Sequence, residues 1–535
     1  MEKFTINNFR LFDNNFEFET PPITVLTGKN NSGKSSFIKA LLLFDDYLSS
    51  QNQLLIDFNG NRLSKHKINS FDNAKNWYKG KYFSFTQNLN GIIECTYQFK
   101  KHESTGARLK MFQLNVLNSK LFIKFEYNKT SEGDYKIFYS KDIIQYAVLL
   151  EKIKIIENKI NLHEFKINRL IADPSLEEKD GVKLSSDITY ERQNKLNKEL
   201  EILNKNKEET ERDINLLLQN GGKIKYDVII DTNQNKRRFI NKSLLDLVAN
   251  NIITDFGNRS SEEKKDISIS SNLKYQKKAT TNSLPDFYFP VYSLFFEIND
   301  IIIHHLSPNR TRQERMYMNK LEDTEIETEI SKFEKTPVVT EFMNEWLETF
   351  KIGDDINIIN FEGIASMLTI TEKQKKVNLV DMGFGTGQIL TILLKISNTI
   401  NEIVNKRGER RHKSKVSHII IIEEPESNLH PALQSYLAFL FIEVYKKYGI
   451  RFVIETHSEY FIRNLQLLVA EEHFGFNKNE AIIYYMSNTK NEKRINKITI
   501  NDDGSLSDKF GEGFLDEATR KALKLMELKN KRRKI

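Results

Sequence analysis

The stretch that decides the fold is Gly28-Lys29-Asn30-Asn31-Ser32-Gly33-Lys34-Ser35, which matches the phosphate-binding pattern GxxxxGK[ST]. The apolar run at residues 23–26 predicts a strand directly before it, and residues 35–48 predict the helix that follows. Glycines allow backbone N–H groups to turn inward around a phosphate, and the helix N-terminus adds a partial positive charge. The stretch therefore predicts a phosphate-binding loop between a strand and a helix of an α/β core.

Two side chains of this loop carry the predicted chemistry. We expect Lys34 to place its charge between the β- and γ-phosphates of ATP, and the Ser35 hydroxyl to complete the shell of a Mg²⁺ ion. The loop therefore predicts Mg-ATP as the ligand. The predicted nucleotide-contacting residues of the loop are Gly28, Asn30, Asn31, Ser32, Gly33, Lys34, Ser35 and Ser36.

A second signal is the run of four isoleucines at residues 419–422, followed by Glu423 and Glu424. The isoleucines predict a buried central strand, and α/β sheets bind ligands beyond the carboxyl ends of such strands. We expect Glu423 to hold Mg²⁺ through water and Glu424 to polarise the attacking water. Another apolar strand, at residues 452–454, leads to His457, which we expect to reach the γ-phosphate as a sensor. The candidate catalytic residues are Glu424 and His457, and the candidate metal ligands are Ser35 and Glu423.

A glycine-rich turn at residues 381–388 precedes an apolar helix. Such a turn at a helix N-terminus offers a second anion site, because its backbone N–H groups and the helix dipole point at the ligand. The candidate nucleotide-contacting residues here are Gly385, Thr386, Gly387 and Gln388.

The remaining segments predict an inserted helical arm and an antiparallel sheet. Alternating residues near 92–99, 110–117, 120–127 and 134–139 predict the antiparallel strands, and apolar residues spaced three and four apart predict helices at 146–170 and 190–218. These helices form either a short antiparallel coiled-coil arm, which we favour, or an ordinary packed pair. The predicted segments are 1–140 (N-terminal ATPase lobe), 141–222 (arm), 223–365 (mixed lobe), 366–465 (C-terminal ATPase lobe) and 466–535 (small closing domain with a basic tail).

Bulk composition sets limits on the class of protein. The chain has 535 residues, 39% of them hydrophobic, and a net charge of +7, which permits a DNA partner without demanding one. One cysteine excludes a disulfide framework within the chain. No signal peptide and no membrane-length apolar run is present, so we expect a cytoplasmic protein without a membrane partner.

These motifs together resemble the SMC/RecF/OLD-like branch of ABC ATPases, on the phosphate loop and on the segment Glu424-Pro425-Glu426-Ser427-Asn428-Leu429-His430-Pro431. More narrowly, the chain is similar to bacterial AAA/OLD-type ATPases of anti-phage defence systems such as Septu and PARIS. The resemblance implies an ABC-ATPase head, in which a mixed sheet with the phosphate-loop core carries an antiparallel β subdomain and an inserted coiled-coil hairpin. It also implies that residues 385–388 cap the γ-phosphate bound by a partner chain, hence a homodimer closed around ATP, or a larger assembly.

The chain departs from the family pattern at two places. The glycine-rich residues 385–388 correspond to the signature motif of the family, and we call them the signature. The signature lacks the serine that faces the γ-phosphate in the family, and Thr386 is the residue that can supply a hydroxyl instead. The family's Q-loop glutamine has no clear counterpart, and Gln87 is our candidate. Arg310 and Arg315 resemble an arginine pair of these relatives, with a phosphate-facing role and an ion pair under a loop both open.

Three functions follow from the resemblance and the motifs. The first is a regulatory ATPase of an anti-phage defence system, which senses a phage-derived trigger and controls a separate effector, a nuclease or toxin. The second is an SMC/RecF-like DNA-repair ATPase that clamps DNA. The third is a scaffold in which ATP holds subunits together with almost no turnover. We read no nuclease in this chain, since residues 502–504 predict a turn rather than a metal site.

Overall fold

The structure is a computed structural model. It describes residues 2–50, 52–56, 58, 68–78, 80–89, 91–103, 106–128, 135–172, 186–222, 225–230, 244–258, 290–291, 301–318, 324–409, 416–489, 493–511, 514 and 517–533. The chain divides into two compact units. The first comprises residues 1–47, 58–80 and 300–535, and the second comprises residues 48–57 and 81–299. The five segments predicted from the sequence stay a prediction.

The helices and strands are numbered here in chain order. They are β1 Lys3–Asn7, β2 Phe16–Glu19, β3 Ile23–Gly28, α1 Lys34–Ser49, β4 Leu55–Ile56, α2 Phe71–Ala74, β5 Tyr82–Leu89, β6 Ile93–His102, β7 Gly106–Val116, β8 Phe122–Tyr127, β9 Tyr135–Ser140, α3 Asp142–Ala172, α4 Ser186–Asn220, β10 Lys225–Ile230, α5 Leu244–Asn258, β11 Ile301–Leu306, β12 Tyr317–Met318, α6 Glu325–Lys332, α7 Pro337–Thr349, β13 Asp355–Phe361, β14 Ala365–Glu372, β15 Lys375–Asn378, α8 Phe384–Glu409, β16 Ser417–Glu423, α9 Pro431–Tyr448, β17 Arg451–Glu455, α10 Glu459–Ala470, β18 Ala481–Met486, β19 Ile495–Ile498 and α11 Glu517–Arg533.

A six-stranded sheet forms the centre of the first unit, in the order β11-β16-β17-β3-β18-β19. The first five strands run parallel, and only β19 is antiparallel to its neighbour. Strands buried on both faces need near-continuous apolar sequence, which explains the isoleucines at 419–422, all 2% exposed or less. Their register places Leu26 beside Glu455 and Glu455 beside Glu423. The ends of these strands therefore lie along one edge of the sheet.

Helices cover the central sheet and bury one continuous apolar core. Residues of α7, α8, α9 and α10 pack with the alternate residues Ile420 and Ile422 of β16. Local signals fix where these helices begin: Thr324 forms a capping box with Glu327 at α6, and Pro337 occupies the first turn of α7. A smaller antiparallel sheet, β12-β14-β13 with β15 beside β14, completes the unit.

The second unit contains an antiparallel meander and a helical hairpin. Strands β5 to β10 pair in sequence order, and alternating burial along them matches the alternation in sequence. The helices α3 and α4 run antiparallel. His163 of α3 is hydrogen-bonded to Glu199 of α4, and Glu157, earlier in α3, forms an ion pair with Lys207, later in α4. Their 31 and 35 residues span about 46 and 52 Å, longer than the predicted 146–170 and 190–218.

The fold class predicted from the sequence is confirmed at this level, with a mixed α/β core, an antiparallel sheet and an inserted helical hairpin. The strand β5 was not predicted, and neither were the elements between residues 223 and 365. The predicted break between the arm helices lies mostly outside the described residues. Among the described residues, no helix combines the length and apolar character needed to cross a membrane.

Candidate functional site

The predicted phosphate loop joins β3 to α1 at the edge of the central sheet. Gly28 has a φ of +122°, and a Cβ there would lie 2.0 Å from the Met486 carbonyl oxygen of the neighbouring strand. Gly33 also has a positive φ, +126°. Both positions favour glycine because other residues rarely adopt this backbone conformation. The loop therefore takes its shape from the two glycines that the motif requires.

The side chains of the loop divide into an inner and an outer set. Ser32, Lys34 and Ser36 are buried, whereas Asn30, Asn31 and Ser35 are exposed. Within the described part of the chain, the Ser32 hydroxyl has no hydrogen-bond partner. A buried polar group without a partner costs free energy, so this hydroxyl lies ready for an incoming acceptor such as a phosphate oxygen.

Lys34 folds back over its own loop. Its Nζ donates to the carbonyl oxygens of Gly28 and Lys29 at 3.1 and 3.0 Å, and lies 3.9 Å from Glu455 Oε1. Burial lowers the pKa of Lys34. Burial, and then the adjacent Glu423, raise the pKa of Glu455 to about 7. Both pKa shifts disfavour the charged form of the side chain. The desolvation cost of the two groups therefore exceeds the attraction between Lys34 and Glu455 across this long contact.

Glu423 ends β16 and is held by a histidine from the adjacent strand. His305 Nε2 lies 2.7 Å from Glu423 Oε1, and the His305 side chain is 8% exposed. A hydrogen bond of this length fixes the orientation of the carboxylate. Glu423 and Glu455 are also paired across β16 and β17, so two carboxyl groups face the phosphate loop edge together.

Glu424 has an unusual backbone that other residues hold in place. Its φ is +46°, and its N–H donates to the Glu455 carbonyl oxygen at 2.7 Å. The buried Arg310 guanidinium donates to the carbonyl oxygens of Glu423 and Glu424, both at 2.7 Å, and to that of Ser307 at 2.9 Å. The Ser427 hydroxyl donates to Glu424 Oε2 at 3.1 Å. The hydrogen bonds of one arginine, Arg310, therefore hold the backbone of the turn that carries both glutamates.

His457 follows β17 on the same edge. Its backbone N–H donates to Glu426 Oε1 at 2.7 Å, which ties the turn after β17 to the turn after β16. Partial desolvation, with Lys34 nearby, lowers the pKa of the His457 imidazole, which favours its neutral form. The neutral ring carries one donor and one acceptor.

The signature residues lie in the first turn of α8 rather than in a loop before it. A Cβ on Gly385 would lie 2.5 Å from the Asn428 carbonyl oxygen, and Gln388 is buried. Thr311 donates its hydroxyl to the Gly387 carbonyl oxygen at 3.3 Å, and Arg315 makes a two-point ion pair with Asp381. The segment at 310–315 therefore supports the signature turn.

The structure brings most of the predicted site residues to one edge of the sheet. Glu423, Glu424 and His457 follow adjacent strands, and the phosphate loop follows the next one. Gln87, the Q-loop candidate, is a fully buried residue of β5 in the second unit. Of the arginine pair, Arg315 forms an ion pair with Asp381, whereas the Arg310 guanidinium donates to backbone carbonyl oxygens, and a phosphate-facing role stays a prediction.

Sequence reasoning missed three residues of the site, namely His305, Glu426 and Glu455. Glu455 carried a signal, since a glutamate that ends an apolar strand in an α/β sheet lies at the ligand-binding edge. Glu426 lies within the segment 424–431 that carries the resemblance, and His305 begins the segment that leads to Arg310, but neither position by itself identified a partner at the site.

The donor set at this edge fits a magnesium nucleotide. Mg²⁺ prefers carboxylate and hydroxyl oxygens, which Glu423 and the exposed Ser35 provide. Among the described residues, Glu455 Oε2 and Thr27 Oγ1 are buried without a hydrogen-bond partner. Such groups are compatible with a ligand that brings positive charge and acceptor oxygens to the same place.

A family model described as an AAA ATPase domain matches residues 1–462. A second model, a protein of unknown function (DUF3696), matches residues 476–525. A comparison with curated proteins found no match.

Three solved structures are similar to the chain at low identity. The Smc head domain with an extended coiled coil bound to the C-terminal domain of ScpA, from Pyrococcus furiosus, is 11% identical over 99% of each chain, with a TM-score of 0.35. The SmcHead bound to the C-winged helix domain of ScpA is 12% identical over 93% of this chain and 97% of that one (TM-score 0.33). The SMC head domain from Thermotoga maritima is 10% identical over 91% and 95% (TM-score 0.31).

Proposed function

The chain belongs to the AAA ATPase domain family, and from that premise we propose that it binds Mg-ATP and hydrolyses it to ADP and phosphate. The observation that carries this proposal is the strand register, in which β3, β17 and β16 end side by side. This register supports a site where the phosphate loop faces Glu423, Glu424 and His457. A nucleotide whose γ-phosphate lies on the loop is then within reach of residues from the two neighbouring strands.

Each residue has a distinct part in the proposed hydrolysis. Glu424 acts as general base: it accepts a proton from water, whose oxygen attacks the γ-phosphorus while the bond to ADP breaks. Lys34 leaves its loop carbonyls and pairs with the phosphates, whose charge exceeds that of Glu455. His457, in its neutral form, hydrogen-bonds the γ-phosphate.

The proposed magnesium site consists of Ser35 and Glu423, the latter through water. Bound there, Mg²⁺ neutralises charge on the phosphate oxygens. His305 fixes the Glu423 carboxylate at 2.7 Å and so orients it before the metal arrives.

The signature supports assembly of two chains around ATP. The helix α8 begins at Phe384, which is 46% exposed, and Thr386 lies in its first turn. Backbone N–H groups at a helix N-terminus bind anions. In the proposed homodimer, residues 385–388 of one chain face the γ-phosphate bound by the other, and a higher oligomer is a further outcome of the test below.

We test this proposal with Glu424→Gln, which keeps the shape of the side chain and removes the base. We expect ATP binding to persist, hydrolysis to fall by at least about 100-fold, and a dimer to accumulate with Mg-ATP in light scattering. Glu459→Gln, at the partly exposed first residue of α10, is the matched control and leaves all three unchanged. Hydrolysis unaffected by Glu424→Gln contradicts the assigned base and favours a scaffold with little turnover.

The ATP-driven switch acts, in our proposal, on a separate effector, a nuclease or toxin, in response to a phage-derived trigger. Support comes from the sequence resemblance to defence ATPases. The SMC/RecF-like alternative is a clamp on DNA, for which the 31- and 35-residue arm helices offer a holding surface.

One experiment separates the two roles. The Glu424→Gln variant, loaded with Mg-ATP, is purified from cells of the source organism together with the proteins bound to it. The ATPase activity of the wild-type protein is measured with and without duplex DNA at two salt concentrations. Co-purification of a nuclease or toxin supports the regulatory role. Stimulation by DNA that weakens with salt supports the clamp, because phosphate contacts release counterions.

A further inference from the structure

Three metal-ligating side chains converge on the central sheet away from the predicted nucleotide edge. They are His304 on β11, Glu402 on α8 and His418 on β16, and one ligand atom from each lies within 4.8 Å of the other two. His418 is near the start of β16, whereas Glu423 ends the same strand. Five residues of extended chain separate the two positions by about 17 Å. The cluster is therefore distinct from the proposed magnesium site.

The two histidine rings meet nitrogen to nitrogen, with their centroids 5.5 Å apart, so a shared metal ion requires each ring to turn from this hydrogen-bonded arrangement. His304 Nε2 lies 3.2 Å from His418 Nδ1, and the rings are within 8° of parallel. Two nitrogens that bind one tetrahedral zinc ion at its usual bond lengths are about 3.3 Å apart. A hydrogen bond between the rings gives a similar separation, so the carboxylate is the deciding member. One oxygen of Glu402 lies within 4.8 Å of both nitrogens, which supplies the third member of a ligand set of the zinc type.

The backbone holds all three ligands on regular elements. His304 and His418 lie on adjacent parallel strands whose register is fixed by Ile302 opposite His418 and His304 opposite Ile420. Glu402 lies on the long helix α8, which packs on the same face of the sheet. Ligands on strands and helices keep their relative positions better than ligands on loops.

A route for entry exists beside the cluster. A cleft of about 1060 Å³ is lined by His418, by Ser417 next to it, and by Ile403, which adjoins Glu402. His418 is itself 2% exposed, while His304 and Glu402 are partly exposed. The cleft therefore reaches His418, one of the three candidate ligands.

We propose that His304, Glu402 and His418 bind a divalent transition-metal ion of the zinc class, with water as the fourth ligand. The imidazole and carboxylate donors favour this class over Mg²⁺, which prefers oxygen alone. The bound ion joins α8 to two strands of the sheet.

The test uses the untagged full-length protein, stripped with a chelator and free of nucleotide. Zn²⁺ is titrated in competition with a chromogenic chelator, and Co²⁺ is added separately to record its visible spectrum. We expect one zinc per chain, an intense tetrahedral Co²⁺ spectrum, and a higher melting temperature with zinc. Glu402→Gln, which preserves the shape of the side chain, and His304→Ala should each weaken zinc binding at least tenfold.

Two controls keep the result specific. Glu423→Gln changes the proposed magnesium site and should leave zinc binding unchanged, and His163→Ala removes a histidine of the arm. Zinc affinity that is absent, or unaffected by Glu402→Gln and His304→Ala, overturns the proposal and leaves a hydrogen bond between the rings. Loss of zinc binding in Glu423→Gln alone would assign the ion to the nucleotide edge instead. Failure of the ATPase proposal would change none of these readouts.

Discussion

His305 Nε2 lies 2.7 Å from Glu423 Oε1, so a histidine on the edge strand holds the carboxylate that we assign to magnesium. Removing an outer partner of a metal ligand typically lowers metal affinity or activity about 10–100-fold. We therefore expect His305→Ala to weaken Mg-dependent ATP hydrolysis by that factor while ATP binding without Mg²⁺ changes little. A magnesium titration of hydrolysis measures the effect. His163→Ala is the control, and equal activity of His305→Ala and wild type would contradict the positioning role.

The two arginines of one segment should differ sharply in their effect on stability. Arg310 is buried and donates to three carbonyl oxygens, whereas Arg315 pairs with Asp381 at the surface. Arg310→Met leaves buried carbonyls without donors and should lower the free energy of unfolding by about 2–5 kcal/mol. Arg315→Ala should cost at most about 1 kcal/mol.

Denaturant unfolding of both arginine variants provides the measurement. Arg310→Lys should rescue little, because a lysine cannot donate to several carbonyls in a planar arrangement. Equal destabilisation by Arg310→Met and Arg315→Ala would mean that the turn at 423–424 does not depend on Arg310.

Glu455 predicts a pH dependence of the nucleotide-free protein. Burial raises the pKa of Glu455 to about 7, so its protonated form stabilises the fold. That contribution is fully present below about pH 4.5 and is lost as pH rises through about 7, with an upper limit of roughly 3 kcal/mol. Glu455→Gln should therefore melt like wild type at pH 5 and higher than wild type at pH 8.

Thermal unfolding at the two pH values tests the Glu455 prediction. Glu459→Gln, which removes a surface ion pair with Arg463 on α10, should change the melting temperature by the same small amount at both pH values. A Glu455→Gln difference that is the same at pH 5 and pH 8 would show that the carboxyl titrates as an ordinary surface group.

Cys95 should report the opening of the second unit. It lies fully buried in β6, and burial raises the pKa of its thiol well above the ordinary range. The reactive thiolate is therefore scarce and inaccessible, so we expect no reaction with a thiol reagent at pH 8 until the unit unfolds. One equivalent should then react, since the chain has one cysteine. Rapid labelling of native protein would contradict the burial of β6.

The elements that could be predicted from the sequence are those determined by interactions between residues close together in the chain. A repeating or positional pattern within a short segment identifies each of these elements, namely the phosphate loop, the isoleucine strand at 419–422 and the heptad helices. The edge position of Glu423 and Glu424 followed, because parallel strands deliver their carboxyl ends to one side.

The rest depends on pairings between distant segments. His305 and Glu423 meet because β11 pairs with β16 across 118 residues, and no local pattern near residue 305 specifies that neighbour. The contacts of Arg310 depend on the same kind of pairing, since an arginine beside a strand has the same local sequence whether it faces phosphate or carbonyl oxygens. Tertiary register, rather than propensity, decides such roles.

Glu424 combines a left-handed backbone with an acidic side chain, and these two demands select different amino acids. A φ of +46° suits glycine or asparagine, while glutamate there is strained. In a randomised library sorted for folding alone, glycine and asparagine should therefore be enriched at this position. A library sorted for ATP turnover should retain glutamate. In the proposed mechanism, a substitution at Glu424 that stabilises the backbone therefore also removes the general base.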